Sequence, residues 1–217
     1  IYNPYFEAEG INAVVVPFSC RAEDFAASLR TLFRMDNVRG ALVTMPHKVS
    51  VVELLDEVTP TVRVAGACNA VRRLPDGRLV GDQFDGAGFV RGVQRKGMDL
   101  PATRGLVVGS GGVGCAIAAS LAQAGIAQLA LFDVNAAAAG ALAARLGKGY
   151  PQAPVSTGRS DPQGFGLVVN ATPLGMNPND PLPFDVVRLQ PGTLVGEVVM
   201  RSGTTALVAA AQARGCR

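Results

Sequence analysis

Short apolar runs alternate with segments of helical spacing along the first part of the chain. Residues 12–18 (NAVVVPF) and 40–44 (GALVT) are rich in aliphatic side chains, and each run ends near a proline. Such runs predict strands. Residues 22–34 lie between them and predict a helix, because their apolar side chains recur at helical spacing: Phe25, Leu29, Leu32 and Phe33.

A further helix, a hairpin and another helix follow in the pattern. Residues 49–58 (VSVVELLDEV) predict an amphipathic helix whose apolar face is made by Val51, Leu54, Leu55 and Val58. The dipeptide Asp76-Gly77 separates the strand-like segments AGACNAVRRL and GRLVGDQFD, which predicts a β-hairpin. Residues 86–97 then predict a helix.

Beyond residues 98–101 (MDLP) the pattern becomes a series of β-α-β units. Strand-like runs (GLVV, AQLALFDV, GFGLVVN, GTLVGEVVM) alternate with helical segments (CAIAASLAQAG, an alanine-rich stretch to Leu146, TTALVAAAQARG). Such units build a parallel sheet through right-handed crossovers. Residues 147–164 are polar, contain Pro and Gly, and predict a loop. We expect an α/β protein of two domains that divide near residue 100.

Composition narrows the classes of function. The 217 residues carry a net charge of only +3, with basic side chains scattered along the chain, so nucleic acid is not an expected partner. Four separated cysteines and one histidine are too few for a zinc site and suggest reduced thiols in a cytoplasmic protein. Residues 105–132 carry no charge, but their clustered glycines and polar side chains favour a buried strand-turn-helix-strand unit over a membrane span.

A glycine-rich turn follows the first strand of the second part. Residues 109–114 read GSGGVG, a G-x-G-x-x-G between a strand and a helix, which is typical of a dinucleotide pyrophosphate site. Asp133 ends the next strand, where a ribose-binding acid is expected, and no Arg or Lys follows it until Arg145. We therefore predict that NAD is preferred and that NADP is the less favoured cofactor. The alternative is a structural turn, with Asp133 capping the following helix.

An alcohol dehydrogenase also needs a group that takes the hydroxyl proton. Polar residues stand in three segments of the first domain: TMPHK, GACNAV and GDQFDGAG. Together with GSGGVG and NATPLGM, and in this order, these motifs resemble the shikimate/quinate 5-dehydrogenase family. The resemblance covers nearly the whole chain.

The resemblance implies an N-terminal α/β substrate domain (residues 1–99), a Rossmann doubly wound parallel-sheet cofactor domain (100–200), and a C-terminal helix returning to the first domain (201–217). It implies that Lys48 is the catalytic acid/base and Asp85 its partner. His47 is then a residue that packs in the interior or supports the site without contacting the substrate. The implied substrate-binding residues are Thr44, Asn69, Phe84 and Met200. The implied cofactor-binding residues are Gly109, Ser110, Gly111, Gly112, Val113, Gly114, Asp133, Asn170, Ala171, Thr172, Met176 and Val198.

The sequence departs from the family pattern at three substrate positions. Leu42 and Phe84 stand where the family has polar side chains, and Met200 stands where a tyrosine is usual. Each lost hydrogen bond is worth about 1 kcal/mol, so shikimate, quinate and an amino-substituted cyclic hydroxy acid all remain candidate substrates. The family's terminal motifs S-x-S-P and G-x-x-M-L-x-x-Q do not occur, so we expect a chain clipped at both ends.

Two alternatives to this dehydrogenase remain at the level of sequence. One is a non-catalytic sensor of NAD or a shikimate-like acid on the same fold, against which the Lys48/Asp85 pair argues. The other is a folate-dehydrogenase-like enzyme, against which NATPLGM and GDQFDGAG argue. We expect a small-molecule substrate, no metal, no membrane contact, and a monomer or homodimer.

Overall fold

The computed structural model describes residues 2–217. Its helices are α1 (Tyr2–Ala8), α2 (Phe25–Leu32), α3 (Pro60–Ala65), α4 (Asp85–Arg95), α5 (Gly112–Gln123), α6 (Ala136–Gly149) and α7 (Ala206–Ala213). Its strands are β1 (Gly40–Leu42), β2 (Glu57–Val58), β3 (Ala70–Arg73), β4 (Leu79–Asp82), β5 (Arg104–Val108), β6 (Gln128–Phe132), β7 (Val155–Thr157), β8 (Leu167–Asn170) and β9 (Leu194–Glu197).

The first sheet contains four strands in the order β1-β3-β4-β2. Strand β3 is antiparallel to both of its neighbours, β1 and β4, whereas β2 runs parallel to β4. The predicted hairpin joins β3 to β4, and Gly77 adopts a φ of 91° in its turn, a conformation that glycine tolerates. The carboxyl end of β1 and the start of β3 lead directly into the polar segments of the candidate site.

The second sheet contains five parallel strands in the order β7-β6-β5-β8-β9. This order confirms the predicted α/β class and its doubly wound Rossmann sheet. The strand order reverses between β5 and β8, which is where ligands bind in open parallel sheets. Helix α5 lies buried against this sheet, so the uncharged residues 105–132 form the predicted strand-turn-helix-strand unit. No helix within residues 2–217 has the length and hydropathy needed to cross a membrane.

The predicted strand over residues 12–18 does not form. No described strand pairs with it, and Val14, Val16 and Phe18 are 69%, 54% and 76% exposed. The segment is held only locally, by two hydrogen bonds between the Asn3 side chain and the backbone of Val15. An aliphatic run alone does not make a strand, because its backbone groups need a neighbouring strand.

Two other predicted elements were wrong in type. Residues 49–58 form a 3₁₀ helix over Ser50–Leu54 and then strand β2, because Glu57 and Val58 pair with β4 and cut the helix short. Residues 147–164, predicted as a loop, contain the edge strand β7. Strand β7 has only three residues, with intermediate and exposed positions, so it lacks the apolar signal of a central strand.

Helix α5 also joins the two sheets, because α3 and α4 both pack against it. A Cβ on Gly86, at the start of α4, would lie 2.1 Å from the Ala116 carbonyl oxygen of α5, so these helices touch through backbone. Arg145 of α6 donates to the carbonyl oxygens of Val64 and Ala65 in α3 at 2.9 and 3.1 Å. These contacts hold the four-stranded sheet and the five-stranded sheet in place relative to each other.

Helix α7 packs on the five-stranded sheet through Leu207 and Ala211. At the end of the chain, the Arg217 guanidinium donates to the Lys96 carbonyl oxygen after α4. The domain division near residue 100 and the return of residues 201–217 to the first domain stay predictions.

Candidate active site

Lys48, Asn69 and Asp85 come from three separate segments and meet at one point. Lys48 Nζ donates to Asp85 Oδ2 at 2.6 Å, and Asn69 Nδ2 donates to Asp85 Oδ1 at 2.7 Å. The side chains of Lys48 and Asp85 are 12% and 31% exposed, so the ion pair is partly buried but reachable. Both oxygens of the carboxylate are thus held by side chains that the sequence predicted for the site.

The backbone around these three residues is also cross-linked. Gln83 Oε1 accepts the amide hydrogen of Asp85, and Asn69 Oδ1 accepts that of Phe84, both at 2.9 Å. The Lys48 carbonyl oxygen accepts from the amide of Cys68 at 2.8 Å. The lysine loop, the start of β3 and the start of α4 therefore support one another. Gln83 was not predicted, and its buried Nε2 has no hydrogen-bond partner within the described residues.

His47 points to different surroundings from Lys48. Its ring stacks on Phe25 of α2, with ring centroids 4.0 Å apart and an interplanar angle of 8°. This contact matches the packing role predicted for His47, and it leaves Lys48 to face Asp85.

The other predicted substrate residues differ in their surroundings. Thr44 is exposed, in the loop before Lys48, and its carbonyl oxygen accepts from the His47 amide. Phe84 is 57% exposed and is held beside the ion pair through its backbone bond to Asn69. Met200 follows β9 and is 93% exposed, and no contact described within residues 2–217 links it to Lys48.

The glycine turn has the shape that a pyrophosphate needs. Gly109 adopts a φ of 105°, and a Cβ on Gly114 would lie 2.0 Å from the Gly109 carbonyl oxygen, so both positions require glycine. A Cβ on Gly111 would meet open space, at the N-terminus of the 12-residue helix α5. Ser110 Oγ is buried without a hydrogen-bond partner in the described residues. These features fit an anionic group bound at the turn.

The glycine turn lies directly beside the lysine. A Cβ added to Gly112 would be 2.9 Å from Lys48 Cβ, so the first residue of α5 touches the candidate base. Val113, the next residue, is half-buried and packs on the core. Burial raises the pKa of the Cys115 thiol one turn further along, which favours an uncharged thiol beneath the turn.

Asp133 is occupied by the backbone. Its Oδ2 accepts from the Ser110 amide at 2.6 Å, and its Oδ1 accepts from the Asn135 amide at 2.8 Å. The cap of α6 is instead Asn135, whose Oδ1 accepts from Ala137 and Ala138. The carboxylate therefore braces the glycine turn against the end of β6.

The segment after β8 is organised by a buried asparagine. Asn170 is fully buried, its Nδ2 donates to Leu174 O and Glu197 Oε1, and its Oδ1 accepts from Thr172. Ala171 lies against Gly109, 2.7 Å from a Cβ placed there. The asparagine thus shapes the loop, and all its polar atoms are used within the protein.

Glu197 was missed by the sequence analysis. It also accepts from Val199 N and Thr205 Oγ1, so it ties the ends of β8 and β9 to the start of α7. The signal was an acid inside the apolar run GTLVGEVVM. Val198 beside it is half-buried, and Met176 is 42% exposed in the loop after β8. Among residues 2–217, no three His, Cys, Asp or Glu side chains converge as metal ligands would.

Comparisons with known proteins give a matching family model, curated relatives and a similar solved structure. A family model described as the shikimate dehydrogenase substrate binding domain matches residues 1–71. The shikimate dehydrogenase (NADP(+)) of Rubrobacter xylanophilus is 39% identical over 99% of the chain and 77% of its own length. That of Moorella thermoacetica is 37% identical over 100% of the chain and 75% of its own length. The solved structure of a Corynebacterium glutamicum quinate dehydrogenase in complex with NAD is 31% identical, has a TM-score of 0.82, and is matched over 97% of this chain and 78% of that one.

These relatives correct the predicted cofactor. The preference for NAD over NADP was wrong, because the two curated relatives at 39% and 37% identity are named as NADP(+) enzymes. The prediction rested on Asp133 and on the lack of a cation in the residues that follow it. The Asp133 carboxylate also accepts backbone hydrogen bonds from Ser110 and Asn135, and its contact with the ribose stays a prediction.

Proposed function

The chain belongs to the shikimate dehydrogenase family, and we propose that it is an oxidoreductase that transfers hydride between NADP and a ring hydroxyl of shikimate. Lys48 is the acid/base group in this proposal, and Asp85 is its partner. Asn69 and Thr44 bind further substrate hydroxyls. The observation that carries the proposal is the Lys48–Asp85 ion pair of 2.6 Å, held against the glycine turn through Gly112.

The glycine turn supports the choice of a dinucleotide cofactor. Gly111 leaves open space at the N-terminus of α5, and the backbone amides there can bind a pyrophosphate. Thr172 follows β8 and Val198 follows β9, so both would lie at the edge of the sheet that adjoins this turn. The bound nicotinamide supplies the hydride acceptor or donor.

Lys48 moves the proton that accompanies the hydride. In the direction of oxidation, its Nζ accepts the proton of the reacting hydroxyl, and in reduction the ammonium returns a proton to the carbonyl oxygen. Asp85 accepts a hydrogen bond from Lys48 Nζ at 2.6 Å, so in this proposal it orients Lys48 and the reacting hydroxyl. Asn69 holds the second carboxylate oxygen and keeps Asp85 from turning away.

The sensor alternative receives no support from the relatives, which are named as enzymes. Quinate is the second candidate substrate, because Leu42 and Phe84 are 48% and 57% exposed apolar side chains at positions that the family resemblance assigns to the substrate pocket. The similarity to a quinate dehydrogenase supports testing it beside shikimate.

The test is a spectrophotometric assay of shikimate and quinate with NADP and NAD, in wild type, Lys48→Met and the neighbouring control His47→Ala. We expect Lys48→Met to lower kcat by on the order of 10²–10⁴-fold while NADP binding, measured by calorimetry, stays intact. His47→Ala should lower kcat far less, because its ring packs on Phe25. A dead histidine variant beside an active Lys48→Met would reverse the assignment.

A further inference from the structure

The 2′-phosphate of NADP is negatively charged and needs a cation in the protein to bind it. The inference made here rests on the proposed use of NADP. A Rossmann site that takes NADP needs a cation near the end of its second strand, here β6, to bind the 2′-phosphate. Residues 133–135 there are Asp-Val-Asn, and alanines follow. Arg145, the next cation along the chain, is committed to the carbonyl oxygens of Val64 and Ala65. The segment after β6 therefore offers no partner for the phosphate.

Strand β7, the neighbour of β6, is followed by a cation, Arg159. Strand β7 runs parallel to β6 with Thr157 opposite Leu131, and the Gly158 amide donates to the Leu131 carbonyl oxygen at 3.1 Å. Continuing this register places Arg159 beside Asp133, at the carboxyl end of the sheet. Parallel strands lie about 4.8 Å apart, so a long arginine side chain reaches the space above its neighbour's end.

Arg159 has the properties of a ligand-binding side chain. It is exposed, and within residues 2–217 its guanidinium has no hydrogen bond or ion pair. The nearby carboxylate of Asp161 is bound instead by Arg188, at 2.7 and 2.8 Å. That ion pair holds the pKa of Asp161 low, through the hydrogen bond from Arg188 first and with a small contribution from Arg159.

Other arginines at the carboxyl ends of the strands face elsewhere. Arg201 follows β9 at the opposite edge of the sheet and donates to the Gly175 carbonyl oxygen. The segments after β5 and β8, residues 109–125 and 171–176, carry no charged side chain. Within the described residues, Arg159 is thus the cation placed on the β6 side of the crevice.

We propose that Arg159 binds the 2′-phosphate of NADP and determines the preference for NADP over NAD. A guanidinium can hold a phosphate by two parallel hydrogen bonds, and it is more effective in this than a lysine. Asp133 keeps its negative charge, but the two backbone amides that donate to its oxygens partly offset its repulsion of the phosphate. The positive charge comes from the strand next to β6 instead of from the residues that follow β6.

The test measures binding rather than turnover. Dissociation constants for NADP and for NAD are determined by calorimetry, without substrate, in wild type, Arg159→Gln, Arg159→Lys and the control Arg95→Gln. Arg95 is an exposed arginine at the end of α4, away from the cofactor turn. We expect Arg159→Gln to weaken NADP binding by on the order of 10- to 100-fold, the usual value of charge-assisted hydrogen bonds, and to leave NAD binding within about twofold. Arg159→Lys should fall between, and Arg95→Gln should change neither constant.

Three other outcomes would contradict either the role of Arg159 or the proposed cofactor. Wild type that prefers NADP, with the same preference in Arg159→Gln, would overturn the role of Arg159 and leave the proposed function standing. Equal losses for NADP and NAD would also overturn it, because the side chain would then not read the 2′-phosphate. Wild type without any preference for NADP would contradict the cofactor of the proposed function itself.

Discussion

Among single residues, Asp85 organises the candidate site, and we expect the neighbouring Phe84 to influence which substrate fits. Phe84 is the N-terminal cap residue of α4, and its backbone is held by Asn69, so its exposed ring stays beside the ion pair. A phenyl ring offers no hydrogen bond to a polyhydroxy acid. Its replacement therefore tests specificity without touching Lys48 or Asp85.

We expect Phe84→Thr, alone or with Leu42→Asn, to raise the ratio of kcat/KM for shikimate over quinate. One regained hydrogen bond is worth about 1 kcal/mol, so the ratio should rise by roughly fivefold per bond. The measurement is kcat/KM for both acids with NADP. Val187→Thr serves as the control, because Val187 is 67% exposed in the 3₁₀ helix before β9 and far along the chain from the site. An unmoved ratio in both variants would remove Phe84 and Leu42 from the specificity residues.

Among the elements, the glycine turn contains glycines that are needed for two different reasons, close packing and space for a ligand. Gly114 is required by packing, since a Cβ there would lie 2.0 Å from a backbone oxygen. Gly111 has open space around its Cβ position and a φ of −73°, which any residue adopts. Gly114 is therefore needed for the turn to pack, whereas Gly111 leaves room for a ligand.

Paired alanine substitutions should show this division. We expect Gly114→Ala to lower the free energy of unfolding by roughly 1–3 kcal/mol, as overpacking does. Gly111→Ala should change it by less than about 1 kcal/mol, since alanine is only a somewhat poorer helix cap. It should nevertheless weaken NADP binding, because its methyl group occupies the space left at the N-terminus of α5. Urea denaturation measures the free energy of unfolding, and calorimetry measures NADP binding. If Gly111→Ala binds NADP as wild type does, the phosphates do not bind at the N-terminus of α5.

At the scale of the whole molecule, Arg145 ties α6 of the parallel sheet to α3 of the first sheet. Its two bonds end on the last carbonyl groups of α3, which have no partner inside that helix. Both hydrogen bonds of Arg145 lie within one chain. The monomer or homodimer expected from sequence stays a prediction.

We expect Arg145→Met to lower the free energy of unfolding by roughly 1.5–3 kcal/mol, the usual loss for hydrogen bonds from a charged donor. Methionine keeps much of the aliphatic stem, so packing changes little. Arg63→Met is the matched control, since Arg63 lies exposed on α3 itself. Equal changes in the two variants, measured by urea denaturation, would show that the loss comes from charge and not from the tie.

The candidate site was predictable from sequence as a set of residues but not as an arrangement. Lys48, Asn69 and Asp85 were named from motifs, and they do meet. Glu197 was missed, because its partner Asn170 is 27 residues away along the chain. Gln83 was missed although its hydrogen bond to the Asp85 amide is local. The hydrogen bond from Ser110 to Asp133 was also missed, since the two residues are 23 positions apart in the sequence.

The sequence by itself determined the α/β class, the hairpin, the buried unit over residues 105–132 and the glycine turn. Each of these follows from local periodicity or from a conformation that only glycine allows. Tertiary structure decided that residues 12–18 are not a strand, that residues 57–58 leave a helix to pair with β4, and that β7 exists at all. Strand pairing is a contact between distant segments, so its free energy is absent from any short window of sequence. The proposed place of Arg159 beside Asp133 rests on continuing this pairing two residues beyond Thr157.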